Sequence, residues 1–240
     1  MSASVLAIVP ALNEEATVAA VVHAIRTDLG ADVLVVDDGS TDATAAKAIA
    51  AGAQVARHPF NLGVGAALRT GFRYADSRDY LIAIQVDADG QHVATEAHTL
   101  LELVASGAAD VAVGSRFADG SGEYGVGAMR RFSMRILSRI VSRRIGTRIT
   151  DTTSGFRAFG RVAIERYAQA YPTAYLSDTV EALLLTRDWG LTVVEVPVAM
   201  RERMGGQASN NALKSIYHLC RLMLVIALHP LRRPLAGGTA

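Results

Sequence analysis

Gln85-Val86-Asp87-Ala88-Asp89-Gly90-Gln91-His92 sets two carboxylates one residue apart, at the end of the run Tyr80 to Val86. The run is short and mostly apolar, and it reads as a buried strand. At a strand end, an Asp-x-Asp pair can hold a divalent cation against a diphosphate. Mg²⁺ and Mn²⁺ prefer hard oxygen ligands and take few carboxylates, with phosphate and water completing the shell. A lone Asp-x-Asp is more often an acidic turn that caps the next helix, so the rest of the chain decides.

Upstream, Val5 to Val9 is an apolar strand stopped by Pro10, and Glu14 to Leu29 carries apolar residues at helical period. Asp32 to Val36 is a second strand, closed by Asp37-Asp38-Gly39-Ser40. Ser40-Thr41-Asp42 offers caps for a helix from Ala43 to Ala51. Gln54 to Arg57 is a third strand, followed by the glycine-rich loop Asn61 to Gly65 and a helix to Ala75. Downstream of Asp89, a helix over Thr95 to Ser106 leads to a strand over Ala109 to Gly114.

Strands alternating with helices of this length predict a mostly parallel central sheet with helices on both faces, an α/β fold. Ligands of such sheets bind past the carboxyl ends of the strands. Pro10 to Glu14, Asp37-Asp38, Asp87 to Asp89 and Ser115-Arg116 all fall just past strand ends. Four polar clusters on one rim are hard to read as turn chemistry alone. Farther on, a helix is expected over Arg130 to Ile145, and a loop with a short strand over Asp151 to Phe159. A helix over Ser177 to Trp189, a strand over Leu191 to Val196 and an apolar helix over Ala212 to His229 complete the expectation.

The chain has 240 residues, half of them hydrophobic, and a net charge of +1. That suits one globular domain, and the charge gives no reason to expect nucleic acid as a partner. Cys220, the sole cysteine, excludes an intrachain disulfide. No signal peptide is expected, and no apolar stretch reaches the roughly 18 residues that a membrane span needs.

The chain resembles the family 2 inverting glycosyltransferases of the nucleotide-diphospho-sugar transferase (GT-A) fold, which include dolichyl- and polyprenyl-phosphate mannosyl- and glucosyltransferases. The likeness rests on Val9 to Glu14, Val36 to Asp42, Asn61-Leu62-Gly63, Asp87 to His92, Gly114-Ser115-Arg116, Thr153 to Arg157 and Glu195-Val196-Pro197. It implies one catalytic domain over 1–229. Residues 1–116 would form the nucleotide-binding half, 117–211 the acceptor-binding half, 212–229 an apolar helix and 230–240 a flexible tail. It also implies that Pro10, Leu12, Glu14, Val36, Asp38, Ala88 and Gln91 contact the nucleotide-sugar. Asp87 and Asp89 would hold Mg²⁺ or Mn²⁺, with Asp89 the better ligand. Arg116 and Arg201 would neutralise phosphate charge, since a guanidinium donates two parallel hydrogen bonds to phosphate.

The acceptor side is read from charge. Arg131, Arg135, Arg139 and Arg143 recur every four residues, and no acidic residue occurs from Tyr124 to Thr150. A basic amphipathic helix of this kind suits an anionic lipid or a phosphorylated ligand. Arg130, Arg131, Arg135 and Asp151 are the acceptor-binding candidates, and the resemblance adds Ser154 and Ser177. The expectation is hexose transfer from a UDP- or GDP-sugar to a polyprenyl phosphate. The enzyme would sit peripherally on the cytoplasmic membrane face, beside a membrane surface or small membrane protein, with a homodimer also open. The alternative is transfer to a sugar hydroxyl in cell-wall, capsule or secondary-metabolite glycan synthesis. A hydroxyl needs a carboxylate base, and Asp178 and Glu181, one turn apart on a helix, are the candidates.

Overall fold

β-Branched and aliphatic runs broken by polar turns build a seven-stranded sheet in the computed structural model, which describes residues 4–118, 128–173 and 178–201. The elements follow in order: β1 (Val5–Ala11), α1 (Val18–Leu29), β2 (Asp32–Asp37), α2 (Thr44–Ala50), β3 (Gln54–Arg57), α3 (Val64–Ser77), β4 (Ile82–Gln85), α4 (Ala97–Ala105) and β5 (Val111–Ser115). Then come α5 (Ala128–Ile145), β6 (Arg157–Gly160), α6 (Arg161–Ala170), α7 (Asp178–Asp188) and β7 (Val193–Pro197). The strand order is β3-β2-β1-β4-β6-β5-β7.

Side chains alternate across the sheet, as strand geometry requires. Leu6 and Ile8 of β1 enter one core with Phe72, Phe159 and Tyr167. Ala7 and Val9 enter the other with Val22, Ile84, Leu100 and Phe156. Helices therefore cover both faces, which leaves the strand ends as the place for polar chemistry. The GT-A-like α/β fold expected from the sequence is the fold observed.

Two features differ from the expectation in detail. β6 runs antiparallel between β4 and β5. It enters the sheet next to the Asp-x-Asp strand, with Gln85 paired to Arg157 in register. The helix α6, which the sequence left unassigned, follows β6 directly at Gly160. It buries Ala163, Ile164, Tyr167 and Ala168, and an Arg161–Glu165 pair at 2.9 Å braces its first turn. The apolar helix expected over 212–229 lies outside the described residues.

Candidate active site

Because β1, β2 and β4 are mutually parallel, their carboxyl ends share one rim. A cleft of about 390 Å³ opens there. Pro10, Leu12 and Glu14 line it after β1, Asp38 after β2, and Asp87 to Asp89 after β4. Asn61, Gly63 and Val64, at the entry to α3, supply the facing wall. Val36, by contrast, is fully buried in the sheet core and does not line the cleft.

The rim loops are tied to one another. Asn13 takes a left-handed conformation, φ 55°, tolerated better by Asn than by most residues. Its amide donates to Ser40 Oγ at 2.9 Å, and its Oδ1 accepts the Thr41 amide at 2.9 Å. The Glu14 amide donates to Thr44 Oγ1, and its carboxylate accepts from Thr17 Oγ1. Asp38 is buried and heavily engaged. Oδ1 meets His58 Nδ1 at 2.7 Å and accepts the Leu62 amide, while Oδ2 accepts the Gly63 amide at 2.7 Å. His58 reaches Thr70 Oγ1 of α3 with its other nitrogen, at 2.9 Å. His58 was not anticipated as part of the site. No periodic signal marks it, because its role comes from a contact across 20 residues of chain.

Asp87 and Asp89 sit on the cleft floor in different surroundings. Asp87 keeps 39% of its side chain exposed. Its Oδ1 accepts Gln85 Nε2 at 3.2 Å, and its amide donates to His92 Nδ1 at 3.0 Å. Asp89 is almost buried, and its Oδ1 accepts the Gln91 amide at 3.1 Å. Gly155 lies directly against Gln85 and Asp87. A methyl group there would stand 2.7 Å from Gln85 Nε2 and 3.0 Å from Asp87 Oδ2. The donor set fits Mg²⁺ or Mn²⁺, being two carboxylates of hard oxygens on one turn. Among the described residues no group of three or more His, Cys, Asp or Glu side chains could hold an ion. Two carboxylates would leave the remaining positions to phosphate and water.

Arg116 is held by Asp151, Nε to Oδ2 at 3.1 Å. Asp151 is fully buried and also accepts from the amide and hydroxyl of Thr153. Its own amide donates to Glu195, whose carboxylate also takes the Thr150 amide and hydroxyl. Ser154 is buried, with its hydroxyl on the Gly114 carbonyl at 2.6 Å. Arg201 is exposed, and its amide donates to Gln91 O at 2.9 Å, which brings that segment beside the Asp-x-Asp turn. On α5, Arg135, Arg139 and Arg143 are exposed while Leu137 and Val141 are buried. The side chains of Arg130 and Arg131, and the whole of Ser177, lie outside the described residues.

The first turns of α7 carry Asp178 and Glu181, both buried. Asp178 packs behind the entry of α3, where a methyl group on Gly65 would come within 3.3 Å of its Cβ. Burial, the largest influence, raises the proton affinity of Asp178 above its ordinary value. The Asp87 charge adds to this, while the Thr179 amide and the Arg157 guanidinium oppose it. Among the described residues Asp178 Oδ2 has no hydrogen-bond partner. Arg157 is itself 1% exposed and donates to Thr179 O and Thr152 O, tying α7 to the 151–155 loop. The motif Thr153 to Arg157 pointed at this residue without disclosing that it is buried.

Residues 6–168 match the family described as glycosyl transferase family 2. The polyprenol monophosphomannose synthase of Mycolicibacterium smegmatis is 32% identical, over 82% of this chain and 77% of that protein. Among solved structures, glucosyl-3-phosphoglycerate synthase from Mycobacterium tuberculosis, in complex with Mn²⁺, UDP-glucose and phosphoglyceric acid, superposes with a TM-score of 0.72. It is 22% identical and covers 98% of this chain and 82% of its own. The same enzyme is also known with Mg²⁺ and UDP, TM-score 0.70, at 21% identity over 98% and 82% of the two chains. The polyprenyl-phosphate acceptor and the membrane partner expected from the sequence are corrected here. The solved glucosyl-3-phosphoglycerate synthase that shares this fold holds phosphoglyceric acid beside UDP-glucose. Among the described residues no helix is long and apolar enough to cross a membrane.

Proposed function

The chain belongs to glycosyl transferase family 2, and on that premise we propose that it transfers a hexose from a UDP-sugar to the hydroxyl of an acidic acceptor. The enzyme is a metal-dependent, inverting glycosyltransferase that uses Mn²⁺ or Mg²⁺. Asp89 and Asp87 hold the ion, which offsets the charge that builds on the departing diphosphate. The observation that carries the choice of acceptor is the phosphoglyceric acid held beside UDP-glucose in a solved structure of the same fold, and Asp178, a buried carboxylate on α7 behind the entry of α3, is the candidate base.

Leu12 and the Asn61 to Gly63 loop wall the nucleoside, with Asp38 holding that loop from behind. Asp178 takes the proton of the acceptor hydroxyl as its oxygen attacks the anomeric carbon opposite the leaving group. The bond from that carbon to the diphosphate breaks, and UDP leaves with the electron pair. Arg201 meets phosphate charge at the rim. Arg116 is fixed by Asp151 so that its free edge serves the same charge. Phosphoglyceric acid, the compound held by the solved neighbours, has the chemistry expected of the acceptor: a hydroxyl flanked by anionic groups.

The test is turnover of the full chain with Mn²⁺, a panel of UDP-sugars, and hydroxy acids that include phosphoglyceric acid, with glycoside detected by mass. One UDP-sugar should yield a glycoside and free UDP, and chelation of the metal should abolish both. Transfer that persists undiminished in Asp178→Asn would overturn the assignment of the base.

A further inference from the structure

His92 ends the segment that carries Asp87 and Asp89, and none of the roles above uses it. Its side chain is 5% exposed. The ring stacks on Phe156, with centroids 4.6 Å apart and planes 23° apart. Nδ1 accepts the Asp87 amide at 3.0 Å. A ring nitrogen that accepts carries no proton, so the neutral ring holds its proton on Nε2. That N–H faces Asp87 Oδ2 at 3.7 Å. The separation is too long for a hydrogen bond, yet the dipole favours the carboxylate oxygen on that side. Gln85 Nε2 holds the other oxygen, Oδ1, at 3.2 Å. The backbone of His92 also bridges to Met200, next to Arg201. One residue therefore joins the Asp-x-Asp turn, the 151–156 loop and the segment that presents Arg201.

We propose that His92 is a positioning residue for the metal site: clamped on Phe156, it holds the Asp87 backbone and carboxylate in the orientation that ligates. The proposal rests on Asp87 and Asp89 being the carboxylates that hold the donor's metal ion. Metal-ligating groups are commonly oriented by such outer partners. A carboxylate left half-exposed would otherwise sample several rotamers. Phe156 keeps the ring in place, Gly155 leaves room for the carboxylate, and Gln85 and His92 flank it.

Three replacements separate the parts of the ring. His92→Phe keeps the stack and removes both nitrogens. His92→Asn keeps an acceptor near the Nδ1 position, and His92→Gln keeps a donor near Nε2. The measurement is Mn²⁺ affinity of the full chain in saturating UDP, from free Mn²⁺ by electron paramagnetic resonance, with thermal melting as a control for folding. Loss of an outer partner lowers metal affinity about 10–100-fold, and His92→Phe is expected at the lower end of that range. His92→Asn is expected to recover most of the affinity, because the amide hydrogen bond is the shorter contact. A folded His92→Phe that binds Mn²⁺ as tightly as the unaltered chain would overturn the proposal. If His92→Phe does not fold, the Asn and Gln variants carry the test against His92→Ala, and equal affinity in all three overturns it. Failure of the unaltered chain to bind Mn²⁺ with UDP would instead overturn the metal assignment beneath it.

Discussion

Gly155→Ala puts the placement of Asp87 to a direct test. The backbone at Gly155 lies outside the left-handed region, so alanine meets no conformational strain there. The whole effect comes from one methyl group. It would stand 2.7 Å from Gln85 Nε2, and 3.0 Å and 3.1 Å from the two Asp87 oxygens. Restoring ordinary contact distances displaces the Gln85 amide by roughly 0.7 Å and the Asp87 carboxylate by about 0.4 Å. Overpacking of this kind costs about 1–3 kcal/mol of stability. The larger effect falls on catalysis, since a misplacement near 1 Å can cost about 100-fold in rate. A shift of roughly half that predicts a loss of about tenfold or more in kcat. The nucleoside wall, built from Leu12, Asn61 and Gly63, is untouched, so the affinity for UDP without metal should hold. The assay pairs steady-state kinetics with UDP titration calorimetry, with and without Mn²⁺. A Gly155→Ala enzyme with unaltered kcat and unaltered Mn²⁺ dependence would refute the claim that the carboxylate must stand where it does.

Asp178→Asn should lower kcat by about 100-fold or more while leaving donor binding intact. Because burial raises the proton affinity of Asp178, the unaltered enzyme should lose activity as pH falls through that raised value, and the variant should show no such limb. The linkage has the opposite sign for stability. A carboxylate whose folded value is raised destabilises the fold as pH climbs from its unfolded value through its folded one. Asp178→Asn should therefore melt higher than the unaltered chain at neutral pH, and a lower melting temperature would contradict this. Arg116→Ala strands the fully buried Asp151 carboxylate and should cost about 2–3 kcal/mol in urea unfolding, below the range for fully buried pairs because Arg116 is partly exposed. His58→Leu removes a partner of Asp38 and should raise the donor KM about tenfold with little change in kcat, as loss of uniform binding does. An unchanged KM would show that the Leu62 and Gly63 amides hold Asp38 without help.

Much of the site's address was legible in the chain. Pro10 to Glu14, Asp38 and Asp87 to Asp89 fall at strand ends, and a parallel sheet brings strand ends to one rim whatever its packing. What escaped were residues whose meaning comes from partners far along the chain. The resemblance implied a nucleotide-sugar contact at Val36, yet strand alternation turns its side chain into the core. Ser154 looked like an acceptor contact, and its hydroxyl instead closes on the Gly114 carbonyl 40 residues away. The arginine periodicity of α5 was real, and Arg135, Arg139 and Arg143 do face outward. Periodicity names a face, however, and not what that face meets.

The sequence by itself determined the element types, the order of most strands and helices, and the cluster of polar turns, because these depend on local spacing and on the two-residue and 3.6-residue periods of side-chain direction. Only the tertiary structure decided that β6 enters antiparallel between β4 and β5, since strand orientation is set by long-range pairing and not by local pattern. That insertion sets Arg157 opposite Gln85 and Gly155 against Asp87. It also decided the character of Asp178. A carboxylate takes its proton affinity from the water it loses and the charges it faces, and the charges that Asp178 faces, Arg157 of β6 and Asp87, lie far from it in sequence.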